Sequence, residues 1–231
     1  ADRLVARSPE EHRRRGVDVR TGHEVVAIHP DEQVVEVRVV ETGAVGREPY
    51  DHLLIATGAS PIRPPFPNID AKGVSGIHVI PDAVALDDQI RDRSPRRAVV
   101  VGGGYIGLEM VEALQLRGLE VTLVEKLDQP MATLDADMGA RVAEGLVAQG
   151  VDLRLGTGVQ GFETDGEGWV RAVATEVGEI PADLVVMGLG VRPNVTLAAE
   201  AGITIGPSGA IATDARMATS APGVWAAGDC A

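Results

Sequence analysis

The chain has 231 residues, 45% hydrophobic but only 3% aromatic, and its 34 acidic and 21 basic side chains leave a net charge of −13. That length holds one large or two modest domains, with a core that Val, Leu, Ile and Ala must fill. The acidic balance without a long basic run argues against nucleic acid and anionic membrane surfaces as partners, and no apolar stretch approaches the roughly 20 residues of a membrane span.

From the N-terminus, no secretory leader is visible at Ala1, which makes a cytoplasmic protein the default expectation. Ser8-Pro9-Glu10-Glu11 reads as a helix start, with Ser8 as N-cap, Pro9 at the first position and Glu11 closing a capping box. Gly16 ends that helix after Arg13-Arg14-Arg15, cations that complement a helix C-terminus on a solvated face. Strands are expected at Val17–Arg20, Glu24–His29 and Gln33–Val40, with a turn at Thr42-Gly43. Another apolar run covers Tyr50–Ala56 and closes on Thr57-Gly58-Ala59-Ser60-Pro61. Residues 61–76 are rich in Pro and Gly, lack a periodic pattern and read as a connector. A helix is expected around Ala83–Arg91.

Val99-Val100-Val101 then runs into Gly-x-Gly-x-x-Gly at Gly102, Gly104 and Gly107. An apolar helical pattern follows to Gly118, and a second β-rich run, Val121-Thr122-Leu123-Val124, ends on Glu125. Strand, glycine turn, helix, strand and acid is the order of a dinucleotide-binding βαβ unit. Gly102 lets the chain leave the strand in a tight turn, Gly104 leaves room for a pyrophosphate, and Gly107 lets the helix lie close to the strand. The first-turn N–H groups face the phosphates, with the helix dipole favouring negative charge. Glu125, 18 residues past Gly107, is placed to bind both hydroxyls of an adenosine ribose. Its charge repels a 2′-phosphate and points to NAD. Lys126 directly after it can reach that phosphate, so NADP stays open.

Asp135 reads as the N-cap of a helix ending at Gly150. Val151–Leu155 is a third strand. Val159–Thr164 and Trp169–Thr175, joined at Asp165-Gly166, form a β-meander. Leu184–Met187 is a buried strand that ends at Gly188-Leu189-Gly190-Val191-Arg192-Pro193-Asn194. A helix near Leu197–Ala201 and a glycine turn at Pro207-Ser208-Gly209 follow, and the chain finishes on Ile211–Thr213 and Gly223-Val224-Trp225-Ala226-Ala227-Gly228-Asp229.

Three separated motifs, Ala56-Thr57-Gly58, the Gly102–Glu125 unit and Gly223–Asp229, together resemble the pyridine nucleotide-disulfide oxidoreductases, flavoenzymes with two dinucleotide sites. Val121–Asp128 with Leu134-Asp135, and Gly190–Asn194, resemble the coenzyme A-disulfide reductase and NADH oxidase branch; ferredoxin reductases share several of these sequences. The resemblance covers nearly the whole chain. It implies an α/β fold in which a Rossmann-like three-layer NAD(P)-binding domain with a β-meander is inserted into a partial FAD-binding domain. The implied division is 1–65 for the partial FAD domain, 66–94 for a connector, 95–212 for the NAD(P) domain and 213–231 for the return to the FAD domain.

By the same resemblance the cofactors are FAD and NAD, with NADP as a further option. Thr57, Gly58, Gly228 and Asp229 would sit at the flavin, Asp229 hydrogen-bonding its ribityl chain. Gly102, Gly103, Gly104, Tyr105, Ile106 and Gly107 would line the NAD(P) turn, with Glu125 and Lys126 at the ribose. Tyr105 would lie between flavin and nicotinamide, and Glu109 would hold the carboxamide. The backbone at Gly188, Gly190 and Val191 would flank the nicotinamide ring. From the residues alone, Glu109 also reads as dipole complementation in the first turns of its helix.

The implied activity passes hydride from NAD(P)H to FAD and then to a disulfide, such as coenzyme A disulfide, or to oxygen or peroxide. The alternatives are a ferredoxin-type reductase and, for this stretch alone, a non-catalytic NAD(H)-binding module. The implied partners are a small-molecule electron acceptor and, in the parent protein, a second copy in a homodimer. The family's opening flavin-binding glycine motif, its redox cysteine and its C-terminal dimerisation domain are absent from this sequence. The expectation is therefore an inactive central portion of a longer enzyme, with no catalytic acid, base or nucleophile of its own. Cys230, the only cysteine, does not occupy the redox position and reads as a buried structural thiol. His12, His23, His29, His52 and His78 form no metal-ligand spacing, so no metal site is expected. Asp82, Asp87 and Asp88 read as a solvated helix face, and capping explains Asp135 more simply than a metal pair with Asp137 does.

Overall fold

The computed structural model describes residues 6–231. The strands are β1 (His23–His29), β2 (Val34–Val39), β3 (Val45–Pro49), β4 (Leu53–Ile55), β5 (Ala59–Pro61), β6 (Val74–Gly76), β7 (Arg97–Val101), β8 (Glu120–Val124), β9 (Asp152–Arg154), β10 (Val159–Thr164), β11 (Val170–Thr175), β12 (Gly178–Pro181), β13 (Leu184–Met187), β14 (Val191–Pro193) and β15 (Val224–Ala226). The helices are α1 (Pro9–Arg14), α2 (Ile80–Arg93), α3 (Tyr105–Leu116), α4 (Ala136–Ala148) and α5 (Thr196–Glu200). By internal contacts the chain divides into two compact units, Pro61–Val191 and a second that joins Ala1–Ser60 to Arg192–Ala231.

The Pro61–Val191 unit is a three-layer α/β structure. Its central sheet has the order β6-β13-β7-β8-β9, all parallel. Parallel strands covered on both faces read as continuous apolar runs, as Val99-Val100-Val101 and Leu184–Met187 do. Alternation of side chains along each strand then sorts them between layers. Ala98, Val100, Leu123 and Val186 pack against Leu86 of α2, Val111 and Leu114 of α3 and Leu146 of α4. Val99, Val101, Val124 and Val185 face the other way, onto Phe162, Val170 and Val173 of the antiparallel β10-β11-β12 meander. The hairpin between β10 and β11 closes on Asp165, whose Oδ1 accepts the Glu167 and Trp169 N–H groups, each at 2.9 Å.

Several local expectations change here. Residues 61–76 are not structureless: β6 pairs in parallel with Val185–Met187 of β13. Three residues are too few for a periodic pattern to show. α2 is longer than Ala83–Arg91, because Asp82 accepts the His78 and Val79 N–H groups at 2.9 and 3.0 Å and so starts the helix earlier. Asp135 begins α4 by backbone alone. Its carboxylate makes no capping bond, since the Met138 N–H goes instead to Asp137 Oδ1 at 2.9 Å and Asp135 O at 3.0 Å.

In the other unit, α1 carries the expected capping box: Glu11 N–H donates to Ser8 Oγ at 3.3 Å, and Ser8 N–H to Glu11 Oε2 at 2.8 Å. Val17–Arg20 forms no strand. Asp18 and Arg20 pair with each other at 2.7 Å, and Arg20 also reaches Glu48 at 2.9 Å, so the segment has no face to bury. β1, β2 and β3 form an antiparallel meander. β3 has no buried residue and no apolar alternation to betray it. β4 and β15 pair in parallel. Ile28, Val35, Ile55, Ala198 of α5, Ile203, Ile211, Val224 and Ala226 make the core of this unit. Ile211–Thr213 is not a strand but one bridge, Ile205 to Ile211, around the Pro207–Gly209 turn. Among the described residues no helix is long and apolar enough to cross a membrane.

Candidate functional site

The glycine turn between β7 and α3 has three glycines with three different surroundings. Gly102 takes φ +103°, and a Cβ on it would stand 2.6 Å from Gly188 O. A Cβ on Gly107 would stand 1.9 Å from Gly102 O, so α3 lies directly against the turn. A Cβ on Gly104 would meet nothing within 4 Å. Gly104 is the N-cap of α3 and supplies no side-chain cap. The first-turn amides of α3 thus lack an intrahelical acceptor and open onto empty space, an arrangement suited to an anion.

Glu125 stands at the carboxyl end of β8, half-buried. Its Oε2 accepts the Gly103 N–H at 2.6 Å and its Oε1 accepts the Leu127 N–H at 2.8 Å. Hydrogen bonds to an ionised acceptor are stronger than neutral ones, and these two fix the carboxylate beside the glycine turn.

A cleft of about 510 Å³ brings together Gly102, Gly103, Gly104, Tyr105, Ile106, Glu125, Gly188 and Gly190 of the expected set. Tyr105 is 68% exposed. Gly188 is buried, its N–H donating to Val101 O at 2.8 Å, and a Cβ on it would lie 3.0 Å from Gly107 N. The opposite wall is Met131, Ala132 and Thr133, which the sequence reading missed. Met131 N–H donates to Gly103 O at 2.8 Å and so draws the segment after Glu125 back across the turn. The signal for it was positional only: a short non-periodic stretch between the strand-end acid and the next helix. Glu109 is exposed one turn beyond Tyr105, and neither it nor Val191 lines this cleft. Lys126 is exposed and lines a second cavity of about 210 Å³.

In the other unit the register of β4 and β15 pairs Ile55 with Ala226. Thr57-Gly58 and Gly228-Asp229 therefore leave the carboxyl ends of two adjacent parallel strands, the edge at which open α/β sheets bind ligands. Ala227 N–H donates to Ile55 O at 3.0 Å and holds the two ends together. The Thr57 hydroxyl donates to Asn194 O at 2.6 Å, and Asn194 Nδ2 donates back to Thr57 O at 2.9 Å. Asn194, which the sequence reading quoted as part of a motif but gave no role, also donates its N–H to Gly58 O at 2.9 Å. Asp229 is exposed, and among the described residues its carboxylate has no hydrogen-bond partner. Cys230 is fully buried, its Sγ donating to Ala227 O at 3.4 Å and Ile55 O at 3.5 Å.

Comparison with known proteins follows the same lines. A family model described as pyridine nucleotide-disulphide oxidoreductase matches residues 2–231. An NADH oxidase of Enterococcus faecalis is 40% identical over 229 residues, 99% of this chain and 51% of that protein. A rhodocoxin reductase of Rhodococcus erythropolis is 36% identical over 224 residues, 96% of this chain and 49% of that protein. The crystal structure of reduced CoADR-RHD from Bacillus anthracis superposes with a TM-score of 0.94 at 36% identity, covering 99% of this chain and 41% of that one. The chain spans about half the length of the curated relatives it matches.

Proposed function

The chain belongs to the pyridine nucleotide-disulphide oxidoreductase family, and from that membership we propose that it is the nucleotide-handling part of a flavin- and NAD(P)H-dependent oxidoreductase. When bound, NAD(P)H supplies a hydride and FAD accepts it, the electrons then going to a disulfide such as coenzyme A disulfide, or to oxygen or peroxide. The observation that carries this reading is the open space over Gly104 at the uncapped start of α3, with Glu125 fixed beside it.

The Pro61–Val191 unit is then the NAD(P) domain. The amides of Gly104 and the first turn of α3 hold the diphosphate, and the unused lone pairs of Glu125 accept the ribose hydroxyls. Glu125 favours NAD; Lys126, free of any ion pair among the described residues, extends the option to NADP. Tyr105 and the backbone at Gly188, Gly190 and Val191 flank the nicotinamide, and Glu109 holds its carboxamide.

The unit built from Ala1–Ser60 and Arg192–Ala231 is part of the FAD domain. Asp229 fits the role of acceptor for a ribityl hydroxyl, because it is exposed at a strand end with no partner of its own. Thr57, Gly58 and Gly228 fit beside it, with the Thr57 hydroxyl and carbonyl both held by Asn194, which fixes the turn at the strand end. The whole protein acts on a small-molecule acceptor, pairs with a second copy of itself and works in the cytoplasm. A second reading, a small electron-carrier protein as acceptor, has the rhodocoxin reductase in its support.

Anaerobic titration of the flavin-loaded whole protein with NADH tests the proposal. Loss of the flavin absorbance is expected. Persistent absorbance, with flavin shown to be bound, contradicts it.

A further inference from the structure

Two cavities meet at Glu125. The larger lies over the glycine turn. The smaller, about 210 Å³, shares Gly102, Glu125 and Leu189 with it and is walled by Phe66, Val124 and Val159. Besides Glu125, its charged lining is Lys126 and Glu176, and among the described residues neither side chain has an ion-pair or hydrogen-bond partner. Glu176 is reached from Glu125 by two backbone steps. Thr157 N–H donates to Glu125 O at 2.9 Å, and Glu176 N–H donates to Gly158 O at 3.2 Å. The Glu176 carboxylate lies over Gly158, where a Cβ would meet its Oε1 at 2.6 Å.

An adenosine with its ribose on Glu125 and its diphosphate running toward Gly104 has this smaller cavity as the next space for its base. Resting on the nucleotide reading above, we propose that the cavity takes the adenine ring and that the Glu176 carboxylate accepts a hydrogen bond from the 6-amino group. Phe66, Val159 and Leu189 offer apolar surface to the ring, and a single polar group fixes its orientation. An ionised carboxylate only accepts. Adenine presents a donor at position 6, whereas hypoxanthine presents a carbonyl oxygen there, which the carboxylate repels. Glu176 thereby makes the site selective for the base itself.

The test is calorimetric titration of the protein and of its Glu176→Gln variant with NADH and with reduced nicotinamide hypoxanthine dinucleotide. The wild type should bind NADH about tenfold more tightly, the order expected for a hydrogen bond to a charged group at a partly open site. Glu176→Gln, whose amide donates as well as accepts, should bring the two affinities together, mainly by tighter binding of the hypoxanthine dinucleotide. Equal affinities in the wild type, or the same ratio in Glu176→Gln, overturn the assignment of Glu176 while leaving the nucleotide site standing. No binding of NADH by the folded wild type overturns the nucleotide site, and the Glu176 assignment with it.

Discussion

The carbonyl oxygen of Gly102 lies where a methyl group on Gly107 would have to sit, 1.9 Å from the position of a Cβ. Gly107→Ala must therefore push α3 off the turn. The expected cost is about 1–3 kcal/mol, the range for overpacking a close contact, read as a lower midpoint in urea unfolding.

Gly104→Ala should do the opposite. Gly104 has φ −80° and no atom within 4 Å of its Cβ position, so stability should not change. The methyl group stands where the diphosphate approaches, so NADH binding should weaken. Unchanged affinity with lost stability contradicts the roles given to the two glycines.

Glu125→Ala removes the acceptor for two backbone amides and for the ribose hydroxyls. NADH affinity should fall about tenfold or more, the scale of hydrogen bonds to a charged group. NADPH should lose much less, because the same change removes a charge that repels its 2′-phosphate. Titration with both nucleotides checks the difference; equal losses place the ribose elsewhere.

Asp183 ties the starts of two neighbouring parallel strands. Its Oδ1 pairs with Arg97 Nη2 at 2.7 Å, and its Oδ2 accepts the Arg96 and Arg97 N–H groups at 3.1 and 3.0 Å. The Arg97 guanidinium, more than the backbone donors and against partial burial, holds this carboxyl below the usual carboxylate range. A carboxyl whose folded pKa is depressed stabilises the fold fully above its unfolded value, about pH 4, and loses that contribution as pH falls through the folded value. Asp183→Asn should thus melt below the wild type at pH 7, and the gap should close as pH is lowered under about 4. A gap that stays constant to pH 2.5 contradicts the assignment.

Cys230 is fully buried. A thiol reagent should leave the native protein unlabelled over the time in which it titrates one thiol per chain in denaturant, the single cysteine present. Fast native labelling contradicts a structural role.

The sequence was legible where one residue type answers one local geometry. Val99–Val101 and Leu184–Met187 read as buried parallel strands because both faces are covered. Ser8 with Glu11 read as a capping box because the reciprocal bonds need those side chains three residues apart. Legibility failed where geometry is decided from afar. β3 is a strand only because β2 pairs with it, and β6 only because β13 does. Met131 reaches the cleft through a bond to Gly103, and Thr57 meets Asn194 across 137 positions. Asp135 looked like a capping side chain, yet Asp137 took the amide it would have used. Glu176 carried no motif at all; only the fold of the meander brings it near Glu125.

A crystal of the protein soaked with NADH measures the central claim directly. The account predicts the diphosphate over the amides of Gly104 and the first turn of α3, with both ribose hydroxyls on the Glu125 carboxylate. Density for the nucleotide in another place, with Met131–Thr133 closed over an empty glycine turn, contradicts it.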